Sequence, residues 1–310
     1  MKTRYRDYNS YLKDIFGQRV QKISLDAGLG CPNREGGISG KGCIYCDQKG
    51  SGTGANTLRD ISIRDQIIEG IEWAKKRYSA KKFIAYFQSY TNTYAPAKNL
   101  KELYDQIIPY EGIVGLSIGT RPDCIDREKL QLINSYTDNY LVWVEYGLQT
   151  SHKKTLAAID RGHDVKTFVD AVNMTSEYGI NICAHVILGL PGESKEMMLE
   201  TARFLAEQPI NGVKIHSLYV TKGTQLAKMY LNGDFSCMKR EEYIETLIDF
   251  LELLPPGFII QRVTGDPDRE TLIAPAWTLE KTINLNLFKK RLEERDTWQG
   301  KKNRNQESEV

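Results

Sequence analysis

Apolar and β-branched residues recur along the chain in short runs at 20–26, 83–88, 113–119, 140–148, 180–188 and 213–220, with a weaker run at 258–264. Each has the length of a strand and is bounded by turn residues. Between them the apolar spacing changes to the helical period. In 64–78, Ile67, Ile68, Ile71, Ala74 and Tyr78 fall on one face, and similar patterns cover 97–108, 126–134, 165–178, 194–207 and 240–254. Ser194 ahead of an acidic first turn reads as an N-cap, and Gly179 after Tyr178 as a helix-ending glycine. Six strand-then-helix units in succession predict an α/β fold around a parallel sheet.

A doubly wound sheet and a barrel share that beat, so the period alone does not choose between them. Strands of a parallel sheet are buried on both faces and should be nearly all apolar. Here polar groups recur on one parity of consecutive strands: Gln88, Ser117, Glu145 with Gln149, His185, and Lys214 with His216. A buried polar group without a partner costs roughly 1–3 kcal/mol, and more if charged. Any one of them reads equally well as a satisfied core group. The set reads as a polar lining that holds a ligand inside an open or partial barrel.

After residue 254 the texture changes to Pro255-Pro256-Gly257, a polar run at 265–270, a helical stretch from 279 to about 295, and a low-complexity end. The chain thus divides into a basic N-terminal segment (1–19), a barrel domain (20–255), a C-terminal extension (256–298) and a tail (299–310) expected to be disordered. No run approaches the roughly 18 apolar residues of a spanning helix. Residues 1–20 are charged and tyrosine-rich, without the apolar stretch of a secretory signal. A cytoplasmic protein with no membrane partner is expected.

The 310 residues include six Cys, too few for a disulfide scaffold. Cys31, Cys43 and Cys46 crowd into one segment directly after the first strand, spaced C-x11-C-x2-C, with four Gly and a Pro in the insert. Such an insert can fold into a loop that points three thiolates at one centre. A structural zinc site would close with four ligands, and Cys124, Cys183 and Cys237 are isolated. Three thiolates around a four-iron four-sulfur cube leave one iron open, as a reactive cluster needs; an electron carrier would fill all four positions.

A three-cysteine loop after the first strand, with Tyr45 just before the last Cys, resembles the radical S-adenosylmethionine (SAM) superfamily. The long first gap is similar to the branch containing the Elongator catalytic subunit and its bacterial relatives. The resemblance runs from about residue 20 to 255 and implies a partial (β/α)6 barrel with a C-terminal extension, a 4Fe–4S cluster on Cys31, Cys43 and Cys46, and SAM as cosubstrate. It places Tyr86-Phe87-Gln88-Ser89-Tyr90-Thr91-Asn92-Thr93, with Gln88, where the family binds the SAM amino group. Ser117 and Thr120, in Ser117-Ile-Gly-Thr-Arg-Pro-Asp123, fall in the strand-three element. Glu145 and Arg161 stand where relatives contact the ribose and the methionine carboxylate, and Gly189 where they border the adenine. The resemblance also implies a reductant such as flavodoxin or ferredoxin.

A net charge of +2 does not discriminate among substrates. Its distribution says more. Residues 1–22 carry six basic and two acidic side chains among Tyr5, Tyr8, Tyr11 and Phe16; Lys75, Lys76, Arg77, Lys81 and Lys82 flank Trp73 and Tyr78; residues 281–310 hold eight basic against five acidic side chains. Basic clusters interleaved with aromatics suit RNA, and a solvated helix end reads the same way. The chain is most similar to the short bacterial group that carries an Elongator-like radical domain without an acetyltransferase domain. That resemblance implies tRNA as partner and conversion of a carboxymethylaminomethyl group on the wobble uridine to aminomethyl, with His185, His216, Lys214 and Tyr219 as candidates to hold the carboxylate or move protons. Two other readings stand: a radical SAM enzyme acting on a small metabolite or peptide, and a non-enzymatic zinc or iron–sulfur RNA-binding module.

Overall fold

The computed structural model describes residues 3–38, 40–47, 50 and 61–303. Seven parallel strands form one curled sheet. They are β1 (Val20–Leu25), β2 (Lys82–Phe87), β3 (Ile113–Thr120), β4 (Leu141–Gln149), β5 (Asn181–Leu188), β6 (Gly212–Ser217) and β8 (Ile259–Arg262), in the order β1-β2-β3-β4-β5-β6-β8. The run read as 213–220 ends at Ser217, and a short β7 (Val220–Thr221) pairs antiparallel with β9 (Leu272–Ala274) instead. The weak run at 258–264 extends the barrel sheet beyond six strands, because Ile259 and Ile260 align with Gly212 and Val213.

Helices α2 (Ile63–Tyr78), α3 (Ala97–Tyr104), α4 (Arg127–Asn134), α6 (Val165–Ser176), α7 (Lys195–Ala206) and α9 (Arg240–Leu253) follow the periodicity. Ser194 caps α7 by accepting from the Met197 N–H. Helices α1 (Tyr8–Phe16), α5 (Lys153–Ala158) and α8 (Gln225–Leu231) are short, at nine, six and seven residues, and lie outside the stretches read as helical; α10 (Lys281–Glu294) is the last helical stretch.

Strand alternation explains the two faces of the sheet. On β4, Val142, Val144, Tyr146 and Leu148 face the helices and join the main core, where each buried side chain contributes about 1.5–3 kcal/mol. The other parity, Trp143, Glu145, Gly147 and Gln149, faces the barrel interior. That interior is stratified. At the N-terminal ends of the strands lie Ile84, Trp143, Cys183 and Ile259, and α1 closes this end: Tyr8 and Tyr11 meet Trp143 edge-on at 5.9 and 6.0 Å, with Leu12 buried among Val20 and Ile84. The sheet edges meet through side chains, the Lys22 Nζ of β1 donating to Gln261 Oε1 of β8 at 2.8 Å.

Two expectations are corrected here. The N-terminal aromatics are used by the fold and are not offered to RNA bases, since Tyr5 packs on Phe288 at 5.4 Å while Tyr8 and Tyr11 plug the barrel. Disorder does not begin at Gln299. That residue is 3% exposed, its Nε2 donates to the Pro255 and Phe258 carbonyls at 2.7 and 2.8 Å, and ordered turns continue to Asn303. Residues 304–310 of the expected tail, and residues 1–2, lie outside the described residues.

Candidate active site

The segment after β1 carries the three cysteines over the C-terminal ends of the strands. Cys31, Cys43 and Cys46 all line one cavity, and none is in a disulfide. Their loop is pinned from two sides. Ile44 N–H donates to the Ile159 carbonyl at 3.1 Å, and Leu226 N–H at the start of α8 donates to the Ile44 carbonyl at 2.8 Å. Asn33 Nδ2 donates to the Asp160 carbonyl at 2.6 Å and approaches Cys43 Sγ at 3.7 Å. Gly162 makes this contact possible: at φ +77° it turns the chain, and a Cβ there would meet Asn33 Oδ1 at 2.8 Å.

Arg161 reaches in from the same turn. Its Nη1 lies 3.6 Å from Cys43 Sγ, and Nε and Nη2 donate to the Gly147 carbonyl at 3.2 and 2.6 Å. A side chain at Gly147 would strike that guanidinium at 2.5 Å. The Thr-Arg-Pro-Asp element supports this corner. Arg121 grips Asp123 through two bonds of 2.9 and 2.8 Å and donates Nη1 to the Arg161 carbonyl at 2.9 Å. Thr93 donates to the Cys124 carbonyl at 2.6 Å, so the Thr120 hydroxyl donates to Thr93 Oγ1, also at 2.6 Å.

Deeper, a charged layer crosses the barrel. Glu145 is fully buried, with Oε1 on Lys22 Nζ at 2.5 Å and Oε2 on Lys214 Nζ at 3.0 Å and His185 Nε2 at 2.8 Å. Lys214 also donates to Tyr86 Oη at 2.8 Å. Burial alone would raise the Glu145 carboxyl, but Lys214, Lys22 and His185 override it and hold the group well below the usual carboxylate range. Burial pushes Lys214 down to about 8 and His185 down to about 4, leaving His185 a neutral partner at pH 7. Burial, with Arg262 beside it, also keeps His216 neutral. Glu145, Cys183 and His185 place donor atoms within 4.8 Å of one another, but two lysine ammoniums already occupy the carboxylate and repel a metal cation.

The structure therefore gathers most of the residues singled out from the sequence. Tyr45, Gln88, Thr120, Glu145, Arg161, His185, Lys214, His216 and Tyr219 line the cavity with the cysteines. Ser117 and Gly189 do not. Ser117 is fully buried on β3, paired in register with Trp143 and so level with the apolar layer. Gly189 packs under Met238, whose sulfur would lie 2.9 Å from a Cβ there. Glu145, expected at the cofactor, has both oxygens committed to the charged layer. Lys22, Asn33, Arg34 and Arg262 were not read from the sequence. Lys22 could have been, because Lys22 and Ser24 continue the inward polar parity, Ser24 donating to Gln88 Oε1 at 3.0 Å.

The donor set fits the expected cofactors. Three thiols face one cavity, N–H groups of Asn33 and Arg161 approach Cys43 Sγ, and the described lining holds no fourth cysteine. Ser89 Oγ, Thr91 Oγ1 and Asn92 Oδ1 are buried without a hydrogen-bond partner among the described residues, and Thr91 lines the cavity where an ammonium group could complete it.

Comparison with known proteins agrees. The profile of the Radical SAM superfamily matches residues 28–205 and that of the Radical SAM C-terminal domain residues 210–294. The chain is 38% identical over 298 residues to YtqA of Bacillus subtilis strain 168, covering 96% of this chain and 92% of that one. It is 30% identical over 156 residues to a tRNA uridine(34) acetyltransferase of Dehalococcoides mccartyi, covering 49% of this chain and 33% of that protein. Its fold is similar to the archaeal Methanocaldococcus infernus Elp3 with an N-terminal deletion, at a TM-score of 0.66 and 19% identity, covering 90% of this chain and 64% of that one. With a superfamily profile over more than half its length, a near full-length relative and a loop that brings three thiols to one cavity, the chain belongs to the radical SAM superfamily, enzymes whose cofactors are a 4Fe–4S cluster and SAM.

Proposed function

We propose that this enzyme acts on tRNA and converts the 5-carboxymethylaminomethyl group of wobble uridine to 5-aminomethyl. The observation that carries the reading is the 30% identity of half the chain to a protein whose name places its chemistry on uridine 34 of tRNA. The cavity supports it: its described lining holds Arg34, Arg121, Arg161, Lys214 and Arg262 against a single carboxylate, Glu145, so it favours a substrate group that carries negative charge.

In this reading Cys31, Cys43 and Cys46 hold the cluster, while Gln88, Thr91, Thr120 and Arg161 surround SAM, with Tyr45 shielding the thiolates. When bound, the cofactors supply a radical able to take hydrogen from an unactivated carbon. The residues of the chain position and protect. Glu145 with Lys22, Lys214 and His185 forms a rigid floor, the plug of Tyr8, Tyr11 and Leu12 seals the far end, and His216 and Tyr219 stand above the floor toward the substrate. Chemically, the glycyl methylene loses a hydrogen atom and then one electron, which the oxidised form of a one-electron carrier of the flavodoxin or ferredoxin class takes up. Water adds to the resulting carbon–nitrogen double bond, releasing the amine and a two-carbon oxo acid. tRNA and a reductant of the flavodoxin or ferredoxin class meet in the cytoplasm.

Mass analysis of wobble nucleosides from a strain lacking this protein tests the reading. Accumulated 5-carboxymethylaminomethyluridine with loss of 5-aminomethyl derivatives is expected; an unchanged nucleoside profile overturns it.

A further inference from the structure

The bulge at the end of β8 places a cation, Arg262, to which the proposed function assigns no role of its own. Val213 pairs with Ile260, yet the next residue, Lys214, pairs with Arg262, so β8 carries one extra residue, Gln261, at this step. In an unbroken strand Gln261 and Arg262 would face opposite sides. A bulge re-aims the second side chain, and both now serve the interior: Gln261 meets Lys22, and Arg262 lines the cavity beside His216 and Tyr219.

The other lining cations are committed. Arg121 is held by Asp123, Lys214 by Glu145 and Tyr86, Arg161 by the Gly147 carbonyl at the thiolate end, and Arg34 donates to the Cys46 and Asp47 carbonyls at 3.0 and 2.6 Å. Among the described residues Arg262 has one acidic neighbour, Asp266, at 3.8 Å, and that carboxylate is 46% exposed and also shared with Lys281. Its planar fork suits a carboxylate, which it can grip through two parallel bonds. His216, a neutral ring on the neighbouring strand, stands ready to add one more.

We propose that Arg262, turned inward by the β8 bulge and backed by His216, is the seat of the substrate side chain's carboxylate and selects side chains that carry a carboxylate beside the amine over those that carry the amine alone. This rests on the wobble-uridine reading and adds to it the residue that tells substrate from product, because the product has lost that carboxylate.

The test uses the cluster-loaded protein with SAM and no reductant, so that nothing turns over. Free 5-carboxymethylaminomethyluridine and 5-aminomethyluridine are titrated separately by ligand-observed NMR. The wild type should prefer the carboxylate by about 30-fold, the ratio set by one charge-assisted pair. Arg262→Gln should bring that ratio close to one with SAM affinity and cluster absorbance unchanged, and Arg262→Lys should fall between. Asp266→Asn, which removes the competing carboxylate, should raise the ratio. Equal affinities in the wild type, no binding of either nucleoside, a preference that survives Arg262→Gln, or a loss of SAM affinity in its place overturns the assignment. If the preference depends on Arg262 while tRNA is not converted by the reduced enzyme, the carboxylate seat stands and the tRNA reaction falls.

Discussion

Glu145 shows how a residue can be placed by its parity while its partners stay hidden. Its parity put it inside the barrel, and the structure agrees; what sequence could not show is that Lys22, 123 positions away, takes one of its oxygens. Once both oxygens are held by two ammoniums and a neutral imidazole, the carboxylate is a structural counter-charge. Removing one member of a buried ion cluster leaves the others uncompensated, at a cost of about 3–5 kcal/mol. Glu145→Gln is therefore expected to lower unfolding free energy by about that much in denaturant titrations; a loss below ~1 kcal/mol with impaired SAM binding would return the residue to the cofactor. Arg262 was illegible for a different reason. On an ordinary strand its parity points outward, and pairing register is not written in a single sequence.

At the scale of elements, the strands and long helices were readable because their periods differ and each had one face to bury. The cysteine loop was readable because three thiols stand in so short a stretch of a cysteine-poor chain, and the structure brings all three to one cavity. Helix α1 was not. Its Tyr and Lys content fits RNA binding as well as it fits a plug, and the difference lies in Trp143, a distant partner that gives those rings somewhere to go. The plug makes a measurable claim. Leu12, 2% exposed, should cost about 2–5 kcal/mol on truncation to Ala, whereas Ile15 on the same helix, 47% exposed, should cost under ~1 kcal/mol. Equal small effects in urea unfolding would mean that α1 merely rests on the barrel.

For the whole molecule, the two ends of the barrel have separate tasks. The cavity opens where the strands end, and the basic group around Trp73 sits where they begin. Lys81 precedes β2 and Lys82 starts it, and the six residues of the strand span about 20 Å before reaching Gln88. Trp73 itself is half exposed and stacked edge-on against Tyr78 at 5.3 Å, with Arg19 over the Tyr78 ring at 4.3 Å. An anticodon loop entering the cavity would leave that patch behind it. Exposed Lys41, in the cysteine loop, and exposed Lys228, on α8, belong to two segments joined by the Leu226–Ile44 hydrogen bond, and the first of them carries the cysteines that line the cavity. Changing Lys75, Lys76 and Lys81 together to Ala should leave the salt dependence of tRNA binding unaltered, while Lys41 and Lys228 changed together should flatten its slope by about 1–2. The reverse pattern, read from binding titrations across a salt series, would put the RNA on the far end.

The most direct measurement joins the cluster, the cavity and the substrate in one tube. Anaerobically reconstituted protein is incubated with SAM, a reductant and tRNA bearing 5-carboxymethylaminomethyluridine at the wobble position, and both nucleosides and SAM products are quantified by mass. Equal amounts of 5′-deoxyadenosine and 5-aminomethyluridine are expected, neither forming with Cys43→Ala. Formation of 5′-deoxyadenosine with the wobble nucleoside untouched would contradict the substrate while leaving the radical SAM chemistry intact.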